Sequence, residues 1–88
     1  MVFVMKTFTE QLVTVARAYA EGSGVSLSVV SHRVFDDSKR LPLVEEGGAS
    51  VTLRRAEQAL EWFSDNWPDG VSWPPDVVRP ANAKADAA

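Results

Sequence analysis

The chain has no cysteine. That excludes a disulfide framework, thiolate metal sites and thiol nucleophiles. It fits a reducing compartment, and a cytoplasmic location is expected. No window approaches the roughly 20 apolar residues needed to span a bilayer, so no membrane partner is expected. There is also no excess of positive charge. Nine Lys and Arg stand against 12 Asp and Glu, for a net charge of −3. A nonspecific nucleic-acid coat would be strongly basic. Specific DNA binding is not excluded, because local charge matters more than the sum. Glu10, Arg17, Glu21 and Arg33 leave residues 8–35 neutral, and much of the acid falls at Asp36, Asp37, Glu45 and Glu46.

Histidine occurs once, as His32. Without carboxylate or cysteine partners at ligand spacing it is not expected to hold a metal. No catalytic residue and no cofactor is expected either. Gly22-Ser23-Gly24 has no preceding strand and no lysine, as a phosphate-cradling loop requires. No serine, histidine and aspartate share a motif context.

What remains is a chain of 88 residues that is 45% hydrophobic. It is long enough for one core and too short for two. The expectation is a small, soluble, all-α bundle of four helices. A single domain over residues 1–79 is followed by a small, polar, disordered tail over 80–88. So small a core would gain from self-association, and a homodimer is expected. Met1-Val-Phe-Val-Met5 is too short for a signal peptide. It reads either as an extension upstream of a natural start at Met5 or as a short strand that pairs with a second copy.

Thr7-Phe-Thr-Glu10 has the form of a capping box. Phe8, Leu12, Val15, Ala16 and Tyr19 follow at helical spacing, which predicts a helix over 8–21. Gly22-Ser23-Gly24 stops it. Ser26 is a good cap for a second helix over 26–35, with Val30 and Val34 facing inward and Ser28, Ser31, His32 and Arg33 mostly outward. The β-branched pair Val29-Val30 permits a strand; cap and spacing favour helix. A short helix over 39–46 buries Leu41 and Val44, provided that Pro42 lies in its first turn. The clearest helix runs over 52–66, with Leu53, Ala56, Leu60, Phe63 and Trp67 in one stripe. Trp67-Pro68 ends it. Beyond lies an extended strap, Val71-Ser-Trp-Pro-Pro75, apolar enough to pack back on the domain.

A helix-turn-helix needs a small residue where its helices cross, a turning residue four positions on, and apolar anchors after the turn. Ala20, Gly24, Val25 and Val30 meet that spacing. Ala20-Glu21, Gly24-Val25-Ser26, Val30-Ser31 and Val34 resemble the DNA-binding headpiece of lactose-repressor-type proteins, and more loosely phage Cro-like repressors. The resemblance covers roughly residues 16–66. It implies double-stranded DNA as partner, with Leu27, Ser28 and His32 at base-reading positions. It implies phosphate contacts at Ser26, Val29 and Ser31, of which Val29 carries no hydroxyl. Serine can reach several bases; leucine touches only an apolar edge such as a thymine methyl. No sensor domain follows the matched stretch, so a sugar response is not expected.

Arg33, Lys39 and Arg40 form a candidate basic edge beside the second helix. Thr52, Arg54 and Arg55 open the last helix, where headpieces of this type approach the DNA backbone. Two arginines oppose the helix dipole there, which suggests a use for their charge. The competing reading is a protein-binding module, through Trp62 or Trp73, that kept the helix-turn-helix shape. A continuous positive strip joining the five cations favours DNA. Interruption by Asp36, Asp37, Glu45 and Glu46 favours a protein.

Overall fold

The computed structural model describes residues 7–80. The readings of Met1–Met5 and of the tail from residue 81 fall outside them. The fold is a small all-α bundle of four helices, α1 (Phe8–Ser23), α2 (Leu27–Phe35), α3 (Arg40–Glu46) and α4 (Leu53–Asp65). The strap after α4 packs back through Trp67, Trp73 and Val77. No described helix is long and apolar enough to cross a membrane.

Local chemistry sets three of the helix starts. The hydroxyls of Thr7, Ser26 and Thr52 accept from the backbone N–H groups of Glu10, Val29 and Arg55. Each satisfies a donor that has no partner within its helix. The Glu10 carboxylate meets the Thr7 hydroxyl at 3.4 Å, a side-chain version of the expected capping box. Pro42 is the third residue of α3, where a missing N–H costs nothing.

The first helix runs two residues beyond the expected end. Gly22 and Ser23 stay helical, and Gly24 alone turns left-handed, at φ 69°. The N–H of Val25 reaches the Ala20 carbonyl at 3.0 Å, and that of Gly24 reaches Glu21 at 3.4 Å. This paired closure satisfies the last carbonyls and brings the chain directly into α2. Gly22 has a different purpose. A Cβ there would lie 2.6 Å from a methyl of Val71, so the strap crosses α1 where a side chain is missing.

The core joins Leu12, Val15, Ala16 and Tyr19 of α1 to Val30 and Phe35 of α2, Leu41 of α3, Ala59, Leu60 and Phe63 of α4, and Val77 of the strap. Helix α1 packs along α4, and α2 along α3. Two expected core residues are outside it. Phe8 is 44% exposed and Leu53 is 54% exposed. Each is the first residue of its helix, and the buried stripes begin further in, at Leu12 and Ala56. Val25 and Val34 are half-buried against the core rather than enclosed by it.

The strap is held by polar clasps. Trp67 Nε1 donates to the Val71 carbonyl at 2.6 Å, and Trp73 Nε1 donates to the Val77 carbonyl at 2.8 Å. Arg79 donates to the Ser64 hydroxyl at 3.0 Å and its carbonyl at 2.8 Å, with its guanidinium over the Trp73 ring. Pro80 was expected in the tail. Its carbonyl instead accepts from Ser64 Oγ at 3.1 Å, so the packed chain extends through it.

Candidate nucleic-acid interface

Helix α2 is nine residues long and so spans about 13 Å. Val30, Ser31 and Phe35 are its buried residues. Ser28, Val29, His32 and Arg33 are exposed. At 100° per residue these four share one arc of the helix, turned away from the core. Of the expected base-reading residues, Ser28 and His32 are on this open arc. Leu27 is half-buried and packs against the core, so only part of it remains to touch a ligand. Ser26 is exposed while its hydroxyl caps α2.

Ser31 is a correction. The phosphate contact expected of it fails, because its side chain is fully buried. Its hydroxyl donates to the Asp37 carbonyl and accepts the Leu41 N–H at 2.9 Å. Both bonds tie α2 to the turn and helix that follow. The helical wheel puts residue 31 between Leu27 and Phe35, inside the inner arc, where α3 packs against α2.

The cations are spread over more than one cleft. Arg33 donates to the Tyr19 hydroxyl at 3.2 Å, which draws its head toward α1. Lys39 lines a cleft of about 370 Å³ with Ser28, Ser38, Pro42 and Leu43. Arg40 and Arg55 line another, of about 320 Å³, with Phe35, Ser50, Val51 and Thr52. Arg54 is exposed and outside that lining. Of the expected backbone set, Arg40, Thr52 and Arg55 line one cleft, Lys39 lines another, and Arg33 and Arg54 line neither.

The acidic neighbours are interleaved. Asp36 Oδ1 is 3.9 Å from His32 Nδ1, and Asp37 Oδ2 is 3.9 Å from Arg40 Nε. Both pairs are solvent-exposed and at the outer limit of contact, so they neutralise little. Glu45 is bound to Arg17, joining α3 to α1, and this carboxylate pushes the Arg17 guanidinium above its usual pKa. Glu45 is thereby drawn away from the α2 face.

Phe35, Ser50 and Val51 were missed by sequence reasoning. Phe35 ends α2 beneath the Arg55 guanidinium, 5.3 Å from ring centre to Cζ. It lies four positions after Ser31 and shares that side of α2, so expecting Ser31 outward hid Phe35 as well. Nothing in the loop marks Ser50 or Val51.

The two tryptophans singled out as partner surface are both engaged. Trp62 is half-buried, with its ring centre 5.6 Å from Tyr19 and 5.4 Å from Phe63. Trp73 packs on Trp67 at 4.8 Å under Arg79. Trp62 still borders a surface cleft with Val34, Phe35, Arg55, Gln58 and Ala59. Among the described residues, no group of three His, Asp or Glu side chains could hold a metal ion.

No family model matches the chain, and neither a curated protein nor a solved structure is significantly similar to it. What defines the molecule is its architecture: a four-helix bundle with a three-residue turn between α1 and α2.

Proposed function

We propose that the protein is a small DNA-binding regulator that lays the outer face of α2 in a major groove and acts as a dimer. The observation that carries this reading is the open arc of Ser28, Val29, His32 and Arg33, on a helix anchored from behind through Val30, Ser31 and Phe35. A helix held on its inner side and free on its outer side is the element that helix-turn-helix proteins insert into a groove. The resemblance of Ala20, Gly24-Val25-Ser26 and Val30 to repressor headpieces supports the same reading. Exposed cations at Arg33, Lys39, Arg40, Arg54 and Arg55 supply backbone attraction. One short helix contacts few bases, so useful specificity calls for a pair.

Salt-titrated binding to genomic fragments tests the proposal. Ser28→Ala/His32→Ala is expected to change sequence preference. Arg54→Ala/Arg55→Ala is expected to weaken every site and flatten the salt slope. Absence of binding even at low salt would refute it.

A second reading is a protein-binding module, in keeping with the acidic interruption at Asp36 and Asp37 beside His32 and Arg40. It is favoured by Val29 and Leu43, two apolar side chains that are 41% and 42% exposed, and by the cleft that Leu43 and Pro42 line beside Ser28. A stable protein partner recovered with no DNA retained, and lost on Val29→Ser/Leu43→Ser, would support it over the first.

A further inference from the structure

The cleft at the far end of α2 has a chemistry of its own. Four elements meet there: the last residue of α2, the first residue of α3, the loop that leads into α4, and the first turn of α4. Among the described residues, its lining holds two guanidinium groups, two hydroxyls, one aromatic ring and one valine, and no carboxylate. Arg40 and Arg55 come from different helices, 15 positions apart in the chain. The Phe35 ring, only 8% exposed, supports the Arg55 head from below. A cation held over an aromatic face is attracted by the ring, which helps to fix its position. Asp37 approaches Arg40 only at 3.9 Å, through a pair that is nearly half exposed on both sides. That contact leaves most of the local positive potential in place.

We propose that this cleft binds one phosphate-class oxyanion, gripped between Arg40 and Arg55 and accepting from the hydroxyls of Ser50 and Thr52. Guanidinium forks match the oxygens of a phosphate, and two forks from different directions suit a tetrahedral anion better than a planar carboxylate. The volume, about 320 Å³, exceeds that of a bare anion and lies at the lower edge of small-ligand pockets. Val51 and Phe35 offer apolar surface to the sugar or carbon group that carries the phosphate. Two sources have this chemistry: a phosphodiester of a DNA backbone, and a free phosphorylated small molecule. The first deepens the DNA reading and rests on it; the second does not need it.

The test is a titration of the ¹⁵N-labelled chain with inorganic phosphate, with acetate as the planar control. Shifts are read at the Arg40 and Arg55 Nε–H and at the amides of Ser50, Val51 and Leu53. Phosphate is expected to give saturable shifts there, and acetate none. Arg40→Gln and Arg55→Gln are each expected to weaken phosphate about tenfold, as loss of one charged hydrogen-bonding partner would. Arg17→Gln, on α1 and outside the cleft lining, is expected to leave it unchanged. All three side chains are on the surface, and circular dichroism checks that each variant is folded. Absence of saturation, an equal response to acetate, or indifference to both cleft substitutions would overturn the proposal.

Competition then separates the sources. Displacement by a short duplex identifies a backbone phosphate; displacement by a phosphorylated mononucleotide alone identifies a free ligand. Displacement by neither reduces the cleft to nonspecific charge and overturns the proposal. Phosphate binding without DNA binding removes the DNA reading and leaves the cleft standing. DNA binding without a phosphate response in the cleft does the reverse.

Discussion

Ser31→Ala separates a structural hydroxyl from a ligand-binding one. The side chain is fully buried and bridges two backbone groups, the Leu41 N–H and the Asp37 carbonyl. Alanine fits the space but leaves both groups without that partner. A buried polar group left unsatisfied costs about 1–3 kcal/mol, so a loss of about 2 kcal/mol is expected. For a chain this size total stability is of the order of 4–13 kcal/mol, so the change is a substantial part of it. It corresponds to a fall in Tm of about 8–16 °C. Urea unfolding followed by tryptophan fluorescence gives the value, with the slope m unchanged if only the native state is affected. Ser28→Ala, on the open face of the same helix, is the control and is expected to stay within about 0.5 kcal/mol of the parent. If Ser31→Ala costs less than about 0.5 kcal/mol, the bridging account is wrong. If it instead weakens DNA binding by fully folded protein, the phosphate role returns.

Three other substitutions test the frame. Gly24→Ala meets no neighbour within 4 Å, but places a side chain at φ 69°; a loss of about 1–2 kcal/mol is expected from conformation alone, measured by thermal melting. Gly22→Ala gains about 1 kcal/mol of helix propensity but drives a Cβ into Val71, and net destabilisation of about 1 kcal/mol is expected. Val71→Ala in that background is expected to recover it, and a double-mutant cycle without coupling would count against the close crossing. Arg79→Ala removes two hydrogen bonds and a ring cover from the strap. A red-shifted tryptophan emission is expected as Trp73 meets water, and an unchanged spectrum would show that the strap closes without this clasp.

The helices were legible because their signals are local. Thr7 and Ser26 announce two starts through a hydroxyl followed by a helical apolar pattern, and each caps as expected; Thr52, expected as the first helical residue, caps α4 in the same way. Gly24 announces the turn, although Gly22 does not end α1 as expected. Its glycine is required by Val71, almost 50 positions away, and no local pattern records that contact. Ser31 was misassigned for a different reason. Periodicity sets it between Leu27 and Phe35 on the inner arc, whereas a serine hydroxyl by itself reads as the mark of an outer face. The exposed Phe8 and Leu53 show the opposite error: an apolar residue in the first position of a helix continues the stripe in sequence but extends past the neighbouring helix in space. The candidate site was legible where it depends on one helix, at Ser28 and His32. It was not legible where it depends on four elements meeting, as in the cleft of Phe35, Arg40, Ser50 and Arg55.

The most direct test of the central claim is unbiased selection of duplexes from a random DNA pool, repeated with Ser28→Ala/His32→Ala. The DNA reading predicts enrichment of a short motif, repeated in two half-sites if the protein acts as a dimer, and a shifted base preference in the variant. No enrichment at low salt, or the same motif from parent and variant, would contradict the assignment of α2 as the reading helix.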